Sequence, residues 1–257
     1  MTIDREKKLE KNHIEKVLME NFINLMPSFY EMQSTFLSGV YKRYGDLEGG
    51  NIVIFFARDL HLEILRKREN DLAFNLSLDN FWNNHKYVVQ SKKKIIHISK
   101  NTGLPKETAR RKLISLIKKK HIKKYDKKIF WEPSSEFKDS YIKIIDEQIT
   151  SLSKYIFEQS KFLNLNLSFS KIQKEIRGNY SFFWYHYLNF QLEYMKYWQE
   201  KLKDLEMLLI ALQTQIQTIR FISRKTSGDF NSFFLNKIPK HINIKDANIS
   251  ATSISEV

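Results

Sequence analysis

The chain has 257 residues, 42% hydrophobic and 28% charged, with seven Gly, four Pro and no Cys. That balance is enough to bury a core, so wholesale disorder is excluded, and so few chain breakers argue against a many-turned sandwich or barrel. The formal net charge is +14, while the absence of Cys removes disulfide scaffolds, thiolate metal sites and cysteine nucleophiles.

In chain order, the stretch Met1 to Lys11 is charged throughout and has no apolar segment of the secretory kind. The longest apolar runs, Ile52–Ala57 and Met207–Leu212, are about a third of a membrane span. A cytoplasmic protein with no membrane partner is expected. Leu9 to Tyr44 reads as helical, interrupted near Pro27. A second helix follows from Leu47 to Arg68, with Ile52, Ile54, Phe55, Phe56, Leu60, Ile64 and Leu65 as its apolar residues. The boundary between them falls at Tyr44-Gly45-Asp46-Leu47-Glu48.

The next segment holds nearly all the excess charge. Between Ser91 and Lys128, thirteen Lys and two Arg meet only two acids, Glu107 and Asp126, whereas the rest of the chain nets +1. Lysine-rich codon usage would spread lysine evenly; concentration in one stretch is the footprint of a polyanion partner. Ile95 to Asn101 suits a short helix, broken at Thr102-Gly103-Leu104-Pro105. Gly103 supplies the positive φ of a tight turn and Pro105 suits the start of the next helix. That helix, Lys106 to about Lys120, buries a stripe of Ala109, Leu113, Leu116 and Ile117. Ile122 to Tyr125 and Ile129 to Glu132, around Asp126-Lys127-Lys128, form a hairpin with a cationic tip.

Helix, glycine turn, helix and basic hairpin together resemble the winged helix-turn-helix of bacterial regulators such as the MarR and GntR families. The run Gly103-Leu104-Pro105-Lys106-Glu107-Thr108-Ala109-Arg110-Arg111-Lys112-Leu113 matches the turn and recognition helix of that fold. The chain departs from the pattern at Pro105, where the family often has Ser, and at His121, where it commonly has Gly. The resemblance implies that Ser99, Lys100, Lys106, Glu107, Thr108, Arg110, Arg111 and Lys112 lie at the DNA. Arg110 or Arg111 would read guanine, and Thr108 with the helix N-terminus would meet phosphate. Lys123, Lys124, Lys127 and Lys128 would follow the backbone or minor groove.

Downstream, Ser134 or Ser135 caps a helix to about Leu163 with Ile145, Ile149, Leu152 and Ile156 on one stripe, a connector or a dimer helix. Phe182 to Lys203 and Leu205 to Arg224 form another helix pair. It meets at Asp204-Leu205-Glu206, identical to Asp46-Leu47-Glu48 and 158 residues away. At the same offset Phe29 aligns with Tyr187 and Phe36 with Tyr194, and Ile254-Ser255 echoes Ile98-Ser99 at 156. A tandem duplication is one expectation, with Ala251 to Val257 as the opening of a second helix-turn-helix; a polar C-terminal tail is the other. The ten aromatics between Tyr180 and Trp198 suit a core or a subunit interface. Gln213, Gln215 and Gln217 alternate in the last helix as a polar seam.

No Gly-rich phosphate loop, His-Glu-x-x-His or paired carboxylate motif occurs, and the seven His are scattered. The expectation is therefore a non-enzymatic protein without cofactor or metal. It is mainly α: a winged helix-turn-helix with a small β-hairpin wing, plus long α-helical regions. The divisions are 1–90 (N-terminal helices), 91–133 (winged helix-turn-helix), 134–164 (connector), 165–227 (the repeat-like helices) and 228–257 (tail or second motif). Double-stranded DNA is the expected partner, read by a homodimer or an intramolecular pseudo-dimer, with a small-molecule effector allowed. The leading function is a transcriptional regulator. A plasmid or phage replication initiator, or a helical interaction protein with a non-specific basic patch, are the alternatives.

Overall fold

A computed structural model describes residues 10–91, 93–125 and 128–225. The expectation of a mainly helical chain with one small sheet holds. The helices are α1 (Lys11–Glu20), α2 (Phe22–Tyr44), α3 (Leu47–Asn70), α4 (Leu78–Asn84), α5 (Ile95–Thr102) and α6 (Lys106–Lys118), then α7 (Lys138–Phe162), α8 (Phe169–Gly178), α9 (Tyr180–Leu202) and α10 (Leu205–Lys225). Strands β1 (Lys123–Tyr125) and β2 (Lys128–Phe130) lie between α6 and α7. They pair antiparallel in the register Lys123↔Phe130, Lys124↔Ile129 and Tyr125↔Lys128. Among the described residues no helix is long and apolar enough to cross a membrane.

The first helical break falls at Asn21, not near Pro27, which lies inside α2. Asn21 leaves the helical region (φ −107°, ψ 14°) and turns its side-chain amide to the Val17 carbonyl at 2.8 Å. Pro27, in the second turn of α2, gives up its own N–H bond and crowds the Ile23 carbonyl, a cost that burial of α2 outweighs. Two short helices went unforeseen, α4 and α8. Each is capped by a serine, Ser77 accepting from the Asn80 amide and Ser168 from the Lys171 amide, both at 3.3 Å.

Four helices close a ring. The α2–α3 hairpin meets the α9–α10 hairpin so that α3 packs on α9 and α10 packs on α2. At Gly50 an added Cβ would fall 2.1 Å from Val40 Cγ1, so glycine is what lets α2 and α3 approach. Phe29 meets Tyr194 edge-on at 6.2 Å, and Phe36 meets Tyr187 edge-on at 5.4 Å. The two hairpin turns are alike: Gly45 and Lys203 both adopt left-handed conformation, with φ of 80° and 64°. They donate to the Tyr41 and Gln199 carbonyls respectively. Leu47 and Leu205, which follow, are both fully buried. The turns also touch, since Glu206 accepts from the Leu47 amide at 2.9 Å.

Helix α7 is neither a free connector nor an open dimer helix. Its stripe of Ile145, Ile149 and Leu152 is buried because α7 lies along α2, where Gln148 donates to the Phe36 carbonyl at 3.4 Å. One core runs from Met32 to Leu212 and takes in Ile98, Leu104, Ala109, Leu113, Leu116, Ile122 and Trp131 of the basic segment. The aromatics of α9 divide. Tyr180, Trp184 and Tyr187 are buried, whereas Phe182, Phe190 and Tyr197 are exposed. Of the Gln seam, Gln213 reaches Ser34 of α2.

Candidate nucleic-acid interface

The turn between α5 and α6 is built from its own side chains. Gly103 sits at φ 72°. Ser99 donates its hydroxyl to the Leu104 carbonyl at 2.6 Å, and Thr102 donates to the Ile98 carbonyl at 2.8 Å. Asn51 of α3 donates to the Thr102 carbonyl at 3.0 Å, fixing the turn to the bundle. The Lys196 and Gln199 side chains of α9 lie against Gly103. Ser99 therefore serves the turn rather than an outer surface.

From this anchor α6 runs with its expected stripe inward: Ala109, Leu113 and Leu116 are buried and Ile117 half-buried. The opposite face carries Lys106, Glu107, Arg110, Arg111, Ile114 and Lys118, all exposed, and Thr108 is half-buried at the first turn. Pro105 precedes the helix, and no side chain caps the first-turn amides. Those amides and the aligned peptide dipoles favour an anion there.

The basic residues divide by their partners. Arg110 grips Glu107 with a two-pronged fork at 2.9 and 2.7 Å, which holds the Glu107 carboxyl below the usual carboxylate range. Lys112 turns away from the open face to Asp46 at 2.8 Å and Glu48 at 3.3 Å. Burial opposes its charge, but these two acids outweigh burial and raise its pKa. Asp46 also caps α3, accepting from the Gly49 amide at 2.5 Å. Lys112 thus braces α6 against the start of α3. Among the described residues Lys100, Lys106 and Arg111 make no ion pair within 4 Å, although Arg111 acts on the Glu107 carboxylate through space.

Helix α6 ends in a left-handed Lys120 at φ 61°. The Lys120 amide donates to the Ile117 carbonyl and the His121 amide to the Leu116 carbonyl, both at 3.0 Å. This is a Schellman closure with lysine where glycine is usual. It turns the chain into β1, with His121 packed edge-on against Tyr44 at 5.0 Å. In the hairpin Lys124 and Lys128 are exposed and have no charged partner among the described residues, and Lys123 pairs with Glu132 at 2.8 Å. Lys127 and Asp126 lie outside the described residues, as does the expected second motif at Ala251 to Val257. Below β2, Trp131 is buried. Its backbone is clamped on both sides by the Gln90 amide, 2.9 Å to its N–H and 2.9 Å to its carbonyl. One side chain thereby does what a third strand would.

Two surface groups were not singled out from the sequence. Tyr125 is exposed at the hairpin among lysines, and Lys118 continues the open face of α6. The alternation and helical spacing that found the buried residues would have found both by subtraction. No family model, curated protein or solved structure matches this chain.

Proposed function

We propose that this chain binds double-stranded DNA sequence-specifically through a winged helix-turn-helix, as a bacterial transcriptional regulator. The observation that carries the reading is the open face of α6, where Lys106, Arg110 and Arg111 surround uncapped first-turn amides beside a lysine-bearing hairpin. An α-helix fits the major groove, and a guanidinium free of other partners is the group that reads guanine in bidentate fashion. Among the described residues Arg111 has no hydrogen-bonded partner and meets Glu107 only through space, whereas Arg110 is held by Glu107 in a two-pronged hydrogen bond. The first-turn amides and Lys106 take phosphate, and Lys100, Lys124 and Lys128 add salt-dependent backbone contacts.

We infer further that the two helix hairpins form an intramolecular pseudo-dimer. Under the offset of 158 residues the Phe29–Tyr194 contact becomes Tyr187–Phe36, and both contacts are present. The same offset pairs Gly45 with Lys203, Leu47 with Leu205, and the fully buried Gln33 with the fully buried Gln191. A contact that maps onto another contact is what a two-fold arrangement of repeats produces.

Selection of bound fragments from sheared genomic DNA at about 150 mM salt, where non-specific binding is weak, tests the reading. A recovered motif upstream of genes, lost in Arg111→Ala, is expected. Motifs repeated at a replication origin would favour an initiator instead. Binding that only falls with salt, without enrichment, would reduce the site to a non-specific basic patch.

A further inference from the structure

The two flanks of α6 differ in charge. On one, Lys112 is matched by Asp46 and Glu48. On the other, Ile117 opens onto a groove of about 650 Å³ between the helical turn His85–Tyr87 that follows α4, strand β1 and the start of α7. Ile117 lies about 140° round the helix from Lys112, with the buried stripe of Ala109, Leu113 and Leu116 between them.

Lys86, Lys120, Lys123, Lys124 and Lys138 line this groove, and among the described residues Glu132 is the one carboxylate that lines it with them. All five lysines are exposed. Glu132 pairs with Lys123 at 2.8 Å, and Lys120 lies 4.0 Å from Glu136. Among the described residues Lys86, Lys124 and Lys138 make no ion pair within 4 Å. The floor is apolar, with Trp82, Ile122 and Pro133 buried. His85 adds no charge to it at neutral pH, because burial lowers its pKa while its Nδ1 faces the Trp82 carbonyl at 2.8 Å. Asn83 and Ser135 are exposed at the rim as neutral donors.

The groove holds no arginine fork, and among the described residues no buried polar group without a partner lines it. It therefore lacks what orients a compact ligand. Exposed lysines and neutral donors over an apolar floor suit a nucleic-acid backbone instead, where phosphates take the donors and sugar edges cover the floor.

We propose that this groove carries one strand of duplex DNA past the base of the hairpin, with Lys86 and Lys138 each holding a phosphate beyond the reach of α6. The inference rests on the DNA reading above and deepens it: the bound backbone continues along the Ile117 flank of α6 and not along the Lys112 flank.

The affinity of the full chain for duplex DNA, measured between about 100 and 300 mM salt, tests it, since each lost phosphate contact makes the logarithmic salt slope shallower by about 0.9. The double variant Lys86→Gln with Lys138→Gln is expected to lose about 1.8 from the slope and to weaken binding uniformly across sequences, with base preference and Tm unchanged. Lys171→Gln with Lys174→Gln, exposed on α8 outside the groove, removes the same charge and leaves the slope as in the wild type. Equal slopes in the two double variants overturn the inference and leave the DNA reading standing. A changed base preference in the groove variant also overturns it, because Lys86 and Lys138 would then act at the bases. A wild-type chain that binds no duplex at any of these salt concentrations overturns the DNA reading itself, and the inference with it.

Discussion

Arg111 and Lys112 are adjacent in sequence and opposite in role. Arg111 projects from the open face of α6, while Lys112 holds Asp46 and Glu48 at the start of α3. Arg111→Ala is expected to cost about 1–3 kcal/mol of specific DNA binding and to relax preference at one base position. Its unfolding midpoint in urea stays unchanged. Lys112→Ala behaves in the reverse sense: the partly exposed ion pair is worth about 1 kcal/mol of stability, and base preference is retained. Equal losses of binding preference in both variants would contradict this assignment. The distinction was not legible in the sequence, because it depends on which helix end α6 happens to cross. Spacing alone gave Lys112 and Arg111 the same cationic label. Ser99 shows the same limit, since its hydroxyl is spent on Leu104 inside the turn.

At the scale of elements, two backbone positions carry opposite expectations. At Gly50 any side chain collides with Val40, 2.1 Å from the built Cβ. Gly50→Ala therefore forces α2 and α3 apart and costs about 1–3 kcal/mol, the range for overpacked cores. At Lys120 the left-handed backbone already strains an L-residue by about 1–2 kcal/mol, while glycine loses about 0.5–1 kcal/mol more entropy on folding. Lys120→Gly is expected to stabilise by roughly 0.5 kcal/mol on these figures, read from chemical denaturation. Elements whose signals are local were legible: the Ala109–Leu113–Leu116 stripe, the Gly103 turn and the first strand lie where pattern and turn chemistry put them, whereas the second strand starts at Lys128 and ends at Phe130, short of the Ile129 to Glu132 run expected. The break at Asn21 and the short helices α4 and α8 were not. Tertiary burial carries α2 through Pro27, and helices of seven and ten residues are too short to declare a period.

For the whole molecule, the buried histidines set the pH response. Burial lowers His61 to about 3, His121, with Arg43 and Lys119 nearby, to about 4, and His85 in the same direction. The unfolded chain takes up these protons near pH 6.5 while the folded chain refuses them. The stability that the folded state gains from keeping them neutral is therefore fully present above about pH 6.5 and is lost as the pH falls, down to about 4 for His121 and about 3 for His61. The expected loss is about 1.4 kcal/mol per pH unit for each histidine once titrating. Urea unfolding at pH 7, 6 and 5 reads the slope, and His61→Phe, which keeps the stack on Phe81 (4.6 Å), removes one proton from it. A slope unchanged in His61→Phe would show that His61 is not buried neutral.

The ring of four helices bears on the oligomeric state expected under the proposed pseudo-dimer. In a homodimer a two-fold interface is made by the same hairpin from two chains. Here the α9–α10 hairpin already covers the α2–α3 hairpin, and the α7 stripe is buried on α2. Phe182, Phe190 and Tyr197 remain exposed on α9, but individual exposed rings are ordinary on a monomer. Light scattering on the eluting protein is expected to give a single chain of 30.8 kDa, unchanged over a hundredfold dilution. On the proposed reading, with one basic helix-turn-helix segment among the described residues, a complex with DNA is expected to hold one chain and to protect a single unsymmetrical site. A concentration-dependent doubling of mass, together with inverted half-sites about ten base pairs apart, would show that pairing comes from a second chain. The match of Phe29–Tyr194 to Phe36–Tyr187 would then reflect helix packing alone, without a pseudo-dimer behind it.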